Sequence, residues 1–556
     1  MAARLATYLV VVIVAGTLIA GLIVGAQRAD DSGPVDLIIH NARVYAADDL
    51  GSIADAVAIR GNKILKVGGE REILRYRRPQ TTVIDARGAA VLPGFDDAHV
   101  SMVAAGLARD GVQLFGATTV EEMQARITAW AEAHPDAPWI TGSGWSFETF
   151  ADLPSRAQLD VAVSDRPVQL TSQDGHAAWL NGAALAAARI TKRTPNPAQG
   201  VIVHDRRGEP TGLLKGAAVA LADKMLPKPT REERAKALQL AIRDAQQHGI
   251  TSVQDIGAAP GDLDLYDSAR DEGTLALRVY AAVPASRTTP DDLDAIAKRY
   301  PDDPLLKTGI AALTLDGSVE SQTAAMLEPY SSKSPNAGDL RIPAADLSKL
   351  VAMLDARGWQ IAIEAAGDRA ARLALDALGA VAKTAHAAKA PRHRIDGVTA
   401  VDPEDMARFG ALGIMATMLP LHAVGGGAIE WAHGDDPTLA SFPWPARSLS
   451  AAGAHLAFGS DAPRLPLDPL AGLRSAVSRA GRQAPEQLTL KSAINAWTSG
   501  AAWASFDDHR KGTLKADMLA DIVILSTDIF SSAANLAKAE VVMTIFDGKI
   551  VYRRAS

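Results

Sequence analysis

Apolar and polar positions along the chain fall into three regimes. The first is "LATYLVVVIVAGTLIAGLIVGA" (5–26), an uncharged run preceded by Arg4 and followed by Asp30 and Asp31. About 20 consecutive apolar residues span a bilayer as a helix, so the run predicts a transmembrane helix within residues 1–30. It exceeds the roughly 7–15 residues of a secretory h-region, which favours an uncleaved anchor over a signal peptide. Cleavage at Val24-Gly25-Ala26 is the alternative. By the positive-inside rule, Arg4 places the amino terminus in the cytoplasm and the rest on the exported side, periplasmic or extracellular. Gly21 and Gly25, with Gly16 and Ala20, form a small-residue face on which another membrane helix could pack, although glycine is common in membrane helices anyway.

The second regime is alternating and β-branched, and it occurs at both ends. "VDLIIHNARVYAAD" (35–48) and "AVAIRGNKILKVGG" (56–69) read as strands joined by turns, as do "LADIVILSTD" (519–528) and "VVMTIFDGKIVYRR" (541–554), with a hairpin turn at Asp547-Gly548. Residues 35–90 and 505–556 thus predict one β-sandwich built from both termini. In the third regime, 91–504, short apolar strands such as "ITSVQDIG" (250–257) and "WQIAIEAAGD" (359–368) adjoin helical stretches such as "REERAKALQLAIRDAQQHG" (231–249). That rhythm predicts α/β structure, a TIM-type (β/α)8 barrel with an inserted segment around 115–225. Barrel sites lie at the carboxyl ends of the strands. "AVGGGAIEWAHGDDP" (423–437) reads as a loop of the barrel mouth, and Gly425–Gly427 lacks the Lys-Ser/Thr of a phosphate loop.

Composition narrows the chemistry. The 556 residues are 48% hydrophobic and 22% charged with a net charge of −7, and no dense basic run occurs, which argues against nucleic-acid binding. The nearest, "REILRYRRPQ" (71–80), reads as a solvated helix face. Without any cysteine, disulfides, thiolate metal sites and a cysteine nucleophile are excluded.

Eight phrases in order give the chain its resemblance: "VLPGFDDAHVSM" (91–102), "DRPVQLTSQDGHAAWLNGAAL" (165–185), "GEPTGLLKGAA" (208–218), "LDGSVESQTAAMLEPY" (315–330), "EAAGDRAARLALDAL" (364–378), "HRIDG" (393–397), "LAFGSDAPRLPLDPLAGL" (456–473) and "KGTLKADMLADIVIL" (511–525). From residue 35 onward it resembles the amidohydrolase superfamily, in its amidohydrolase-3 or YtcJ-like branch. The resemblance implies one or two divalent metals in the barrel mouth and hydrolysis of C–N or other polar bonds by a metal-activated water.

The implied ligand positions are eroded. The first strand's His-x-His is His99-Val100-Ser101, and the bridging lysine position is Ala312. The fifth-strand histidine is Glu364, the sixth strand ends Asp396-Gly397 in place of Glu-His, and the eighth-strand aspartate survives as Asp461. Alanine and glycine cannot ligate, and several losses together remove tight metal binding. Ala516-Asp517 also replaces a usual Pro-Gly, which affects turn geometry alone.

Three readings follow. The leading one is a catalytically inactive pseudo-hydrolase with no metal cofactor, anchored in the membrane by its N-terminal helix and serving as a binding or structural subunit of a membrane-protein complex. The second is an active hydrolase of non-peptide amide bonds with a single divalent metal such as Zn or Mn on His99, Glu364 and Asp461, helped by Asp97. The third is metal-free acyl transfer with Ser101 as nucleophile, His99 as base and Asp461 as orienter, though no G-x-S-x-G elbow exists. His176, in Asp174-Gly175-His176, and His422, after Leu419-Pro420, are candidate pocket residues. Trp145 and Trp179 read as core or pocket walls. Asp461 could also persist because its side chain stabilises a tight strand-end turn.

Overall fold

The computed structural model describes residues 34–259, 261–330, 335–382, 390–423, 442–479 and 481–555. Eight parallel strands form the central sheet: β1 (Phe95–Val100), β2 (Ile250–Asp255), β3 (Arg278–Pro284), β4 (Leu306–Thr314), β5 (Gln360–Glu364), β6 (Arg394–Asp396), β7 (Met415–Met418) and β8 (Leu456–Phe458). Each pairs with the next in chain order. Most positions on these strands are buried, as expected of a parallel sheet covered on both faces. The ring closes through the segment after β8: Asp461 N–H donates to the His99 carbonyl at 2.9 Å and Ser101 N–H to the Ala462 carbonyl at 2.9 Å. The Asp97 carboxylate accepts from Ser460 N–H at 3.0 Å. Gly459 permits this approach, because a Cβ there would lie 2.6 Å from His99 Cβ and from His99 N.

The barrel interior is polar at one level. Arg394 is fully buried and its guanidinium grips both oxygens of Asp396, at 2.7 and 2.8 Å, the Ala98 carbonyl at 2.6 Å, and Gln254. Outside, helix α1 (Met102–Ala108) packs on α2 (Arg231–Gln247), whose start is fixed by a capping box of Thr230 and Glu233. A Cβ at Gly106 would sit 1.9 Å from the Ala237 carbonyl oxygen, so the two backbones are in contact. Gly106→Ala is expected to lower unfolding stability by about 1–3 kcal/mol through this overpacking, measured by urea denaturation.

Two further sheets flank the barrel. One has the order Lys63–Gly68, Ala56–Arg60, Leu37–His40, Thr82–Asp85, and the other runs Lys549–Arg553, Val541–Phe546, Ile522–Leu525, Ala90–Pro93, Arg43–Tyr45, Ile53–Ala54. Ile39, Val57, Val91, Ile522 and Ile545 lie in the apolar layer they share. This layer is tied to the barrel by Arg278 at the start of β3, which donates from Nε and Nη2 to Asp521 at 2.6 and 3.0 Å and from Nη2 to Asp547 at 2.8 Å. A six-stranded sheet spanning residues 112–216 is inserted between β1 and α2, with Trp145 and Trp179 buried in its own core.

One part of the expected fold is corrected. The α/β barrel stands, but the N-terminal transmembrane helix does not: among the described residues no helix is long and apolar enough to cross a membrane. That expectation rested on residues 5–26 and the Gly21/Gly25 face, which lie outside the described residues, as does most of the 423–437 loop. The longest described helix, Arg231–Gln247, has 17 residues and carries charges along its length, short of the about 20 apolar residues that a span needs.

Candidate functional site at the barrel mouth

Strand ends deliver most of the site. β5 ends on Glu364, β7 leads into the turn Pro420–Ala423 that carries His422, and β8 leads into the segment carrying Asp461 and Arg464. Asp174 and His176 come from the turn between two inserted strands, Val168–Ser172 and Ala177–Leu180, and Glu320 from the segment after β4. These side chains line a partly open cavity, walled elsewhere by Leu419 and Trp444.

Its centre is a cation held among carboxylates. Arg464 Nη1 lies 3.5 Å from Glu364 Oε1 and 3.3 Å from Asp461 Oδ1. The arginine reaches there by crossing Gly175, where a Cβ would meet Arg464 Nε at 2.2 Å. Asp461 also holds His422 Nε2 at 2.8 Å and faces His99 Nε2 at 3.7 Å, while His99 Nδ1 lies 3.3 Å from Asp396 Oδ2. Burial penalises each of these charges, but the partners prevail. Arg464 holds Asp461 and Glu364 below the usual carboxylate range, and those two carboxylates raise the guanidinium in return. Likewise Asp396 raises His99 and Asp461 raises His422, which favours both imidazolium forms. Asp461 itself has a left-handed backbone, φ 64°, a conformation that Asp tolerates better than most residues.

A second layer orients the inserted turn. Asp174 accepts from the hydroxyls of Ser172, Ser321 and Ser318, the last at 2.5 Å, and from His176 N–H at 3.1 Å. His176 Nδ1 lies 3.1 Å from Arg341 Nη2, and burial followed by the nearby Arg464 lowers its pKa to about 4, so it is neutral. Glu320 is 7% exposed, and its contacts with Gln173 Nε2 are 3.4 and 3.5 Å long. Burial pushes its carboxyl up to about 8. Between its unfolded value near 4.3 and that folded value, the folded state keeps a proton that the unfolded chain has released. Stability therefore falls as pH rises through this window. Glu320→Gln is expected to gain on the parent by about 1 kcal/mol per pH unit between pH 5 and 7, read from thermal melts.

The remaining sequence candidates lie apart. Ser101 is the residue before α1, beyond the end of β1, and its Oγ rests against Gly257, where a Cβ would lie 1.7 Å away. Ser101 is not among the residues that line the cavity, and among the described residues no hydrogen bond joins it to His99. Ala312 packs beside Tyr280, Ile310 and Ala362. Gly397 lines the cavity with φ 66°. Asp97 uses Oδ1 on the backbone, accepting from His99 N–H at 3.1 Å as well as from Ser460, while its buried Oδ2 has no hydrogen bond among the described residues, and burial pushes the carboxyl up to about 7. Arg464 and Glu320 are functional candidates the sequence reading passed over, although both stand inside quoted phrases. The one signal was their charge immediately beyond a strand-end aspartate.

The donors do not fit the metals the resemblance implies. Two positions carry no ligand atom, and a guanidinium sits where Glu364 and Asp461 would share a metal. Among the described residues no group of three His, Asp or Glu side chains is arranged to hold one.

Comparison with known proteins adds the following. The profile of the Amidohydrolase family matches residues 82–552. "Protein LONG AFTER FAR-RED 3" of Arabidopsis thaliana is 31% identical over 93% of this chain and 91% of its own length. "Putative amidohydrolase YtcJ" of Bacillus subtilis is 30% identical over 93% of this chain and 99% of its own. An uncharacterized metal-dependent hydrolase from Pyrococcus furiosus has the same fold, with TM-score 0.68 and 23% identity over 88% of this chain and 99% of that one.

Proposed function

Because the chain belongs to the amidohydrolase family, we propose that it is a member without metal-dependent hydrolysis, whose barrel mouth binds a small molecule and which acts as a binding subunit. The observation that carries this reading is the Arg464 guanidinium between Glu364 and Asp461. It supplies the positive charge those carboxylates require, at the place where a metal would otherwise offset them. A Lewis acid and the water it activates have no counterpart in a guanidinium, which can donate hydrogen bonds but cannot lower the pKa of a bound water by coordination.

The cavity keeps the character of a ligand site: concave, partly apolar through Leu419 and Trp444, with a few convergent polar groups. Elemental analysis of the purified protein tests the reading. Zinc and manganese far below one equivalent per chain are expected, with no chelator-sensitive hydrolysis of simple amides. One equivalent of retained metal would overturn it in favour of a remodelled mononuclear hydrolase using His99, Glu364 and Asp461.

A further inference from the structure

Charge is spread unevenly over the flanking sheets. Between Ala56 and Gln80 the chain carries seven cationic residues against two acidic ones, Glu70 and Glu72, in a protein whose net charge is −7. Both acids are taken: Glu70 Oε1 lies 2.8 Å from His40 Nδ1 and Glu72 Oε1 2.7 Å from Lys66 Nζ. Arg71, Arg75, Arg77 and Arg78 are exposed, and among the described residues none of the four pairs with a carboxylate. The fold sets them on one surface. The helical turn Glu70–Ile73 and the tighter turn Leu74–Tyr76 lie on the outer face of the four-stranded sheet, where Ile73 is buried against Ile38 and Ala58. Positions two before and two after a buried helical residue point away from it, and positions four apart share a face, so Arg71 and Arg75 project outward together. Arg78 Nη1 donates to the carbonyls of Arg75 and Arg77 at 3.0 and 2.9 Å, which keeps the last two arginines beside that turn.

A second observation is independent of charge. The arginine segment is tied to Pro34 and Val35, the first described residues. Arg60 Nε donates to the Pro34 carbonyl at 3.2 Å, and Thr81, whose N–H donates to the Arg78 carbonyl at 3.0 Å, gives its hydroxyl to the Val35 carbonyl at 2.8 Å. Only residues 27–33 separate Pro34 from the uncharged run 5–26. Seven residues reach at most ~25 Å, so an apolar phase that takes up that run lies within reach of the arginines. We infer that this arginine face docks on the anionic headgroups of a membrane surface. Peripheral attachment needs no spanning helix, because an apolar segment and a basic patch are two weak signals that together hold a protein at a bilayer. Guanidinium groups suit the lipid phosphate, each offering a planar fork to two oxygens. A cationic side chain held at an anionic leaflet raises partitioning about fivefold. Four of them outweigh Asp55, the exposed acid that lines the same cleft as Arg71 and Arg75.

The test is flotation of the full chain with vesicles of phosphatidylcholine alone and of phosphatidylcholine containing about 30% phosphatidylglycerol, at about 0.1 M salt. Phosphatidylglycerol is expected to raise the apparent affinity about tenfold or more, and about 0.5 M salt to remove most of that gain. R71Q/R75Q/R77Q/R78Q is expected to lose the gain. A variant losing the same charge at Arg189, Arg193, Arg206 and Arg207, all exposed on the inserted segment, is expected to keep it. A gain under about twofold in the parent would overturn the inference. So would an equal loss in both variants, since net charge alone would then decide. Protein that ignores vesicles but binds an RNA oligonucleotide through the same four arginines would overturn it in favour of nucleic acid. Arg78 also holds backbone carbonyls, so if the quadruple variant melts lower than the parent, R71Q/R75Q/R77Q decides. That variant keeps Arg78 and is expected to lose most of the gain, and full retention counts against the inference.

Discussion

Replacing Arg464 by alanine is expected to lower stability by about 2–3 kcal/mol and to raise zinc affinity above that of the parent. The destabilisation follows from leaving Asp461, buried, and Glu364, half-buried, facing one another with no guanidinium between them. Their contacts with Arg464 exceed 3.2 Å, so the loss stays below that of an ideal bidentate pair. Zinc uptake follows from the same vacancy of charge. Two carboxylates with His99 and His422 close by carry donor types a divalent cation accepts, provided that the side chains draw together around it and the imidazoles give up their protons once the arginine is gone. Thermal melts with and without zinc read both effects. The variant is expected to melt lower than the parent without metal and to recover on zinc addition, by an amount that grows with zinc concentration. Equal zinc response in parent and variant would show that Arg464 is not what stands in for the metal.

The second large effect lies at the opposite end of the barrel. Asp521→Ala is expected to cost about 3–5 kcal/mol in unfolding free energy. Arg278 and Asp521 are each 5% exposed, and the pair joins the start of β3 to the flanking sheets. Removing the carboxylate strands a guanidinium in the protein with Asp547 as its one remaining carboxylate among the described residues. It also takes an acceptor from Asp547 N–H, bonded at 2.9 Å. Denaturant unfolding measures the cost, and a loss under about 1 kcal/mol would mean that water reaches Arg278 in the variant. Asp521→Asn, which keeps an acceptor but not the charge, should fall between.

How far the sequence alone reached differs between backbone and site. The barrel was legible because buried parallel strands leave continuous apolar runs, and the quoted phrases mark the strand ends by residue type. The ends of the strands were less legible than the strands. Ser101 reads as the end of the first strand's His-x-His phrase, but it is the residue that opens α1, with its Oγ against Gly257. Arg464 was invisible for a different reason. A charged residue following a turn reads as solvent-facing, and its inward course depends on Gly175, which reaches it only through the inserted sheet. Glu320 shares that difficulty, since its burial comes from segments distant in the chain. The apolar run at 5–26 gave a helix expectation from length and composition, and no described helix bears out a membrane span.

The way the barrel closes bears on how His99 and Asp461 are held in place. The backbone bond from Asp461 to His99, the Gly459 contact with His99 and the Asp97 bond to Ser460 are all made at one seam. That seam is the clasp of a hoop, and the two residues that most suggest inherited chemistry are stitched into it. Their side chains can lose every catalytic duty while their backbones remain indispensable to the clasp. Main-chain atoms at the join of a closed sheet therefore answer first to architecture, and they fix where the two side chains start whatever the hoop encloses.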